Sequence, residues 1–488
     1  MSQITRRHFL QKSLATSAGV IAASPFVING PGSRVLGAND DIRVAVVGFR
    51  SKGAQHIEVF REIPGVRVVA LCDVDEDILN REVQKLKDLD QKVEAYRDVR
   101  KLLENKNIDA VVVATPNHWH SLIGIWACEA GKDVYVEKPV SHNIWEGRKL
   151  VEAARKYNRI VQAGTQNRSD VGFRAAVEYL QQGKLGRILW AHGIWYKQRN
   201  SIGKLPGPRH IPPQVDYDLW TGPAPLQPLR RQRLHYDWHW FWQTGNGDMG
   251  NLGVHQIDDC RFAMGLTGPP ERVMSFGGRF GYDDDGETPN TQLAFYDYKP
   301  APIIIEIRTL PMKKGIRAMD NLRGVRSGNI IQCENGYFAG GRGGGWAYDN
   351  NGKRIKQFPG DGGGTHQANF IDAVRNRNPK LLRADILQGF YSTMLCHMAN
   401  ISYRIGQQSP PQEIRKSIQS FQEAVLTLEK LEKHLAANEV NLEQTPFVQG
   451  PWLNFDAQKE RFVGEWSYEA NMFLSRIYRK PFVVPEKV

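Results

Sequence analysis

The chain has 488 residues, of which 41% are hydrophobic, 24% charged and 10% aromatic. That length calls for more than one hydrophobic core, and the composition excludes both wholesale disorder and a small stapled scaffold. Lysine and arginine outnumber aspartate and glutamate 64 to 52, a formal charge of +12, but the basic residues are dispersed, so nucleic-acid binding is not indicated.

Residues 1–38 read as an export address. Arg6 and Arg7 stand in TRRHFLQK, ahead of a mildly apolar stretch from Leu14 to Ile28 that is too short and too weakly hydrophobic to span a bilayer. The segment resembles a twin-arginine signal, which implies the twin-arginine machinery as a partner and a periplasmic or secreted destination, with a membrane tether if the segment stays uncleaved. Cleavage after Ala38 would remove Arg6, Arg7, Lys12 and Arg34 and leave +8, although Leu36 stands where a small residue is preferred. Because this route carries folded proteins, a cofactor can be loaded before export.

Residues 39–165 read as an α/β nucleotide domain. Ile42 to Val47 is a β-branched run ending in Gly48, and a helical pattern follows from Ala54 to Arg61. Gly48 suits the tight turn and Gly53 close helix packing, while Arg50 stands where a dinucleotide fingerprint has its middle glycine. A second apolar run, Val66 to Leu71, ends in Cys72-Asp73, 25 residues after Gly48, the spacing of a carboxylate for the ribose hydroxyls. Such a carboxylate repels a 2′-phosphate and so favours NAD over NADP. Further strands are expected at Ala110–Ala114, Asp133–Val136 and Arg159–Ala163. Each runs into a polar turn where ligands of parallel sheets collect: TPNHWH, Glu137-Lys138-Pro139 and GTQNR.

Taken together, GFRSKG, Asp73, ATPNHWH and YVEKP resemble the Gfo/Idh/MocA sugar oxidoreductases. The resemblance implies NAD bound along Gly48, Phe49, Arg50, Gly53, Asp73, Thr115, Pro116, Asn117, His118, His120, Glu137, Lys138 and Gln166. It also places Lys138 beside the nicotinamide and the substrate. A desolvated lysine next to a cationic ring has a lowered pKa, which suits proton exchange with a hydroxyl.

Residues 166–488 read as an α+β substrate and oligomerisation domain with a large, mostly antiparallel open sheet, expected from runs at Val273–Gly277, Gln292–Tyr298 and Ile303–Arg308. Aromatic density peaks in HYDWHWFW (His235–Trp242), whose Trp238, Trp240 and Trp242 are candidates for stacking on a sugar or for core packing. In TGNGDMGNLGVHQIDDCR, His255 and Asp258 are three apart and would share a helix face. The family resemblance implies a base at His255, preceded by an aspartate where this chain has Asn251. That departure removes a carboxylate that would orient the imidazole, and Asp248 or Asp258 could compensate. Candidate substrate contacts are Lys138, Arg168, Trp195, Tyr196, Trp240, Asn251, His255 and Asp258, with Lys138 and His255 catalytic and His366 a secondary candidate. The glycine-rich stretches Gly340–Gly345 and Gly360–Gly364 read as hairpin loops.

No HExxH or CxxC spacing occurs among the histidines and the five cysteines, so no metal is expected. The combined reading is an NAD-dependent oxidoreductase acting on a small-molecule carbohydrate. Two alternatives stay open. One is an NAD-dependent glycosidase working by transient oxidation and elimination, with Tyr196, His192 or His239 as carbon base; the other is a non-catalytic sugar-binding protein. The resemblance also implies a homo-oligomer formed through the open face of the second sheet.

Overall fold

A computed structural model describes residues 41–488, and the twin-arginine segment lies outside the described residues. The first sheet is built from β1 (Ile42–Val47), α1 (Lys52–Glu62), β2 (Val66–Cys72), α2 (Glu76–Lys87), β3 (Glu94–Tyr96), α3 (Val99–Glu104), β4 (Ala110–Val113), α4 (Asn117–Glu129), β5 (Asp133–Val136), α5 (Ile144–Lys156) and β6 (Val161–Ala163). Its six parallel strands run in the order β3-β2-β1-β4-β5-β6. Helices cover both faces, which is why β4 and the Val44–Val47 part of β1 are continuous valine and alanine runs rather than alternating ones. The strand order reverses between β1 and β4. The connections after these two strands therefore leave in opposite directions and open a crevice at their carboxyl ends.

The second sheet comes from β7 (Ile188–Tyr196), β8 (Arg272–Gly278), β9 (Thr291–Asp297), β10 (Ile303–Arg308), β11 (Ser327–Cys333), β12 (Gly336–Gly341), β13 (Gly344–Tyr348), β14 (Arg354–Pro359), β15 (Gln407–Ser409), β16 (Phe447–Gln449), β17 (Leu453–Asp456) and β18 (Arg461–Val463). The order is β14-β13-β12-β11-β7-β10-β9-β8-β16-β15, with β17 joining β8 to β18. Only β7 and β10 pair in parallel.

The α-helices of this half are α6 (Val171–Gln181), α7 (Tyr217–Thr221), α8 (Val254–Ala263), α9 (His366–Arg375), α10 (Ile386–Arg404), α11 (Pro411–Ile418), α12 (Gln422–Ala437) and α13 (Ser467–Asn471). Strand alternation divides the sheet's side chains between two cores. Val273, Ala294, Ile303 and Ile305 face the cluster that includes Ile257 of α8 and Met394 and Met398 of α10. Their neighbours Met274, Phe295 and Ile304 pack against Ile414 and Ile418 of α11 and Leu428 and Leu431 of α12. The face expected to be open thus carries the chain's own helices over this part. Near β7 it is also covered by Met319, Leu322 and Val325 from the β10–β11 connection.

Between β7 and α8 a long connection crosses back to the first sheet. Asp216 N donates to Val74 O (3.0 Å), Glu76 N to Gln214 O (3.1 Å), and His235 Nε2 lies 2.8 Å from Asp75 Oδ2. Long segments without regular structure in a packed protein commonly serve a site, and this one closes over the crevice of the nucleotide sheet.

Candidate active site

The crevice opens into a cleft of about 530 Å³ walled by both halves of the fold, within the range of small-molecule sites. Its floor is the turn after β1. Gly48 takes φ +75°, and a side chain there would meet Thr115 Cα at 2.9 Å; a Cβ on Gly53 would lie 2.0 Å from Gly48 O. Both glycines are required by close approach: the first of the β1 and β4 turns, the second of α1 on its own preceding turn. The start of α1 points its free N–H groups into the same space.

Asp73 ends β2 and accepts from Phe49 N at 3.1 Å. Burial pushes its carboxyl up to about 6, partly offset by the backbone donors of Asp75 and Phe49. Thr115 Oγ1 is buried in the cleft wall without a partner among the described residues. A glycine cradle, a helix start, a strand-end carboxylate and an unpartnered hydroxyl fit a dinucleotide.

At the other end Lys138 and His255 line one wall. Lys138 Nζ donates to Asn251 O at 2.6 Å, and its pKa is lowered by burial and by Lys52, against the charges of Glu137 and Asp248. Glu137 accepts from His56 Nε2 and Gln166 Nε2, both at 2.9 Å. Burial opposes its ionisation, yet the hydrogen bond and charge of His56, with Lys52 and Lys138, hold it well below the usual carboxylate range. His255 is held near 3 by burial and then by the charge of Lys138, so its imidazole is neutral at physiological pH and can accept a proton. His120 fastens the two strand-end turns together, its ring nitrogens 2.6 Å from Pro139 O and 2.7 Å from Thr115 O. It acts on the site through Lys138 and Thr115.

Several expected site residues lie elsewhere. His118 points behind the cleft, its ring nitrogens facing the carbonyl oxygens of Thr244 and Trp220; it fastens the crossing segment and does not line the cleft. Arg168 and Asp258 form a buried ion pair at 2.8 Å, and Ser392 also donates to Asp258. His255 and Asp258 sit roughly 60° apart on α8, far enough for one to face the cleft and the other the core. Tyr196 donates to Glu306, which also meets His192 and Arg308, on the sheet's far side. Trp195 lies beneath Lys197, 5.8 Å from its ammonium, with the indole N–H buried and unpartnered among the described residues. Trp240 lies under Arg199, and Trp238 of the same run lines the cleft instead. His366 is buried between Ser169 Oγ and Ala163 O.

Asn251 Nδ2 donates to Asp248 Oδ1 at 3.3 Å, and Asp248 is paired with Arg199 at 2.9 Å. Neither Asp248 nor Asp258 hydrogen-bonds His255.

The crossing segment adds His235, Tyr236 and His239, and the strand ends of the second sheet add Lys197 and Arg342. Of these only His239 stood out in the sequence. The signal for His235 and Tyr236 was their place in the aromatic run, but nothing local shows that the run folds back over β2.

Two sheets joined by this cleft define a dinucleotide-binding fold with a second, mostly antiparallel domain against it. The description of an oxidoreductase family with an NAD-binding Rossmann fold matches residues 42–165, and that of the same family's C-terminal alpha/beta domain matches residues 190–272. Both domain models of the Gfo/Idh/MocA oxidoreductase family thus match this chain, and residues 42–165 are an NAD-binding Rossmann domain.

Among solved structures, the WlbA dehydrogenase of Bordetella pertussis, in complex with NADH and UDP-GlcNAcA, shares the fold: TM-score 0.55, 18% identity, covering 75% of this chain and 97% of that one. An oxidoreductase domain protein from Kribbella flavida is similar at TM-score 0.55 and 19% identity, over 74% of this chain and 96% of that one. Among curated relatives, glycosyl hydrolase family 109 protein 1 of Shewanella sp. (strain ANA-3) is 24% identical over 70% of this chain and 74% of its own length. An alpha-N-acetylgalactosaminidase of Shewanella oneidensis is 29% identical over 32% of this chain and 38% of its own length.

Proposed function

We propose that this protein oxidises a carbinol carbon of a sugar, polyol or glycoside using NAD held in the cleft. The observation that carries the reading is the convergence of Lys138 and His255, both held toward their neutral forms, at the end of a cleft whose other end fits a dinucleotide. The β1 turn and the start of α1 would hold the diphosphate and Asp73 the adenosine ribose. When bound, NAD supplies a hydride acceptor. His255 or Lys138 takes the substrate hydroxyl proton, Asn251 fixes the Lys138 amino group through its backbone carbonyl, and Trp238 offers a flat surface to a ring. The twin-arginine segment is the basis for proposing that the protein is exported with its cofactor already in place.

A second reading, the redox glycosidase, is favoured by His239. Its Nδ1 donates to Tyr236 O at 2.6 Å, which leaves Nε2 as a lone pair; the ring stacks on Trp238 at 3.6 Å and burial holds it near 3. A carbonyl in the sugar ring acidifies the adjacent C–H, and a separate neutral base lining the cleft could remove that proton, the electron pair expelling the aglycone. Of the three carbon-base candidates, His239 lines the cleft, while Tyr196 and His192 are engaged by Glu306.

The test is to mix the purified protein with a panel of sugars and glycosides, following the near-ultraviolet absorbance of reduced nicotinamide and the release of aglycone. A persistent rise supports the oxidoreductase, and aglycone release without net reduction supports the glycosidase. Retained NAD with neither response to any compound would leave a non-catalytic binder and refute both.

A further inference from the structure

We propose that the reactive end of the cleft contains an anion subsite, formed by Arg342 and Lys197, for a sugar carrying a carboxylate, sulfate ester or phosphate. This rests on the reading of the cleft as a carbohydrate site.

The argument begins with the charges on the wall. Of the cations there, Arg199 is paired with Asp248 at 2.9 Å and Arg97 lies 3.8 Å from Glu76. Arg50 and Lys52 flank the glycine turn, where a diphosphate would neutralise them. The carboxylates of the wall are already engaged: Asp73 by Phe49 N, Asp98 by Arg100, and Glu137 by His56 and Gln166. Lys138, Lys197 and Arg342 remain, with no carboxylate in ion-pair range among the described residues. A neutral sugar entering between them would displace water from these cations and supply no counter-charge; an anionic one would.

Geometry places Arg342 and Lys197 together. Ile194 of β7 pairs with Gly328 of β11, and Asn329 pairs with Gly340 of β12. Lys197, just after β7, and Arg342, just after β12, therefore leave the sheet at the same end, two strand spacings or about 10 Å apart at the backbone. Two long side chains can converge on one group across that span.

Arg342 is also held in place. Its Nε donates to Gly362 O at 3.1 Å, and Asp170 Oδ2 accepts from Gly343 N at 3.0 Å and Gly362 N at 2.6 Å, binding the two glycine-rich loops to each other. Gly343 and Gly344 take φ +91° and +89°, so this turn requires glycine. The terminal guanidinium nitrogens keep no hydrogen-bond partner among the described residues, and the charge of Arg342 is near enough to contribute to holding His255 neutral. The loops that carried no phosphate-cradle motif thus act by aiming an arginine.

The experiment titrates the protein as purified, by calorimetry, with glucose, glucuronate, glucose 6-sulfate and glucose 6-phosphate, and with inorganic sulfate as a probe independent of sugar stereochemistry. At least one anionic sugar is expected to bind about tenfold to a hundredfold more tightly than glucose, a difference that shrinks with added salt. The tightest of the three identifies the anion. Arg342→Gln and Lys197→Gln each weaken binding of the anionic sugar and of sulfate by a larger factor than binding of glucose, so the preference is lost; Arg342→Lys, which keeps the charge, retains most of it. Equal binding of neutral and anionic sugars, no binding of sulfate or of any anionic sugar, or a parallel loss of glucose binding in the variants overturns the subsite. Charge-selective binding with no nicotinamide reduction by any sugar would leave the subsite standing and refute the redox reading. Equal reduction by neutral and anionic sugars would do the reverse.

Discussion

Replacing Gly53 by alanine tests whether the β1 turn is the dinucleotide cradle. The added Cβ would lie 2.0 Å from Gly48 O, 2.9 Å from Gly48 C and 3.0 Å from Phe49 Cβ. The first distance is about 1.4 Å short of ordinary contact, so either the turn or the start of α1 must move by that amount. The turn is wedged on its other side, where Gly48 meets Thr115, and α1 is anchored by the buried Ile57 and Phe60. Overpacking of this kind costs about 1–3 kcal/mol in stability.

A donor displaced by about 1 Å forfeits a charge-assisted hydrogen bond to phosphate, so NAD affinity should fall roughly tenfold to a hundredfold. The control is Gly131→Ala, at φ +79° with nothing within 4 Å of the added carbon. It costs about 1–2 kcal/mol through backbone strain alone and should leave NAD affinity unchanged. Calorimetric titration of NAD into protein stripped of dinucleotide, alongside thermal unfolding, separates the two effects. NAD affinity in Gly53→Ala equal to that in Gly131→Ala would refute the cradle.

Three further outcomes are expected. Lys138→Met should keep the fold and the bound NAD while lowering kcat by about a hundred- to ten-thousand-fold, read by steady-state rates together with dinucleotide content. Because the Asp73 carboxyl is raised to about 6 and only its ionised form accepts both ribose hydroxyls, NAD affinity should weaken as pH falls from neutrality through that value; Asp73→Asn should bind more weakly at neutral pH and lose the dependence. Arg168→Met strands the buried Asp258 carboxylate, which should cost about 3–5 kcal/mol in unfolding experiments with KM preserved; a raised KM at unchanged Tm would return Arg168 to the substrate site.

Much of the nucleotide half was legible because its chemistry is local. Strand runs broken by glycine and a strand-end aspartate at fixed spacing require no knowledge of distant contacts, and β1, β2, β4 and β5 lie where those runs lie. The alternation in β8 to β10 likewise announced a mostly antiparallel sheet, with one face expected to be open. It did not announce that α11 and α12, far along the chain, cover that face.

The substrate side was less legible, because which face of a residue meets the cleft depends on distant partners. His118 sits in the same turn as Asn117 but is captured by the carbonyls of Thr244 and Trp220. Trp238 and Trp240, two apart in a short 3₁₀ turn, point to different places. Arg342 stood in a stretch read as a mere hairpin, and only the sheet register brings it beside Lys197.

The most direct test of the central claim is to denature the protein as purified and identify any released dinucleotide by mass. The account predicts NAD in near-stoichiometric amount, or stoichiometric binding once NAD is supplied to stripped protein. A protein that releases no dinucleotide and binds none when offered would contradict it.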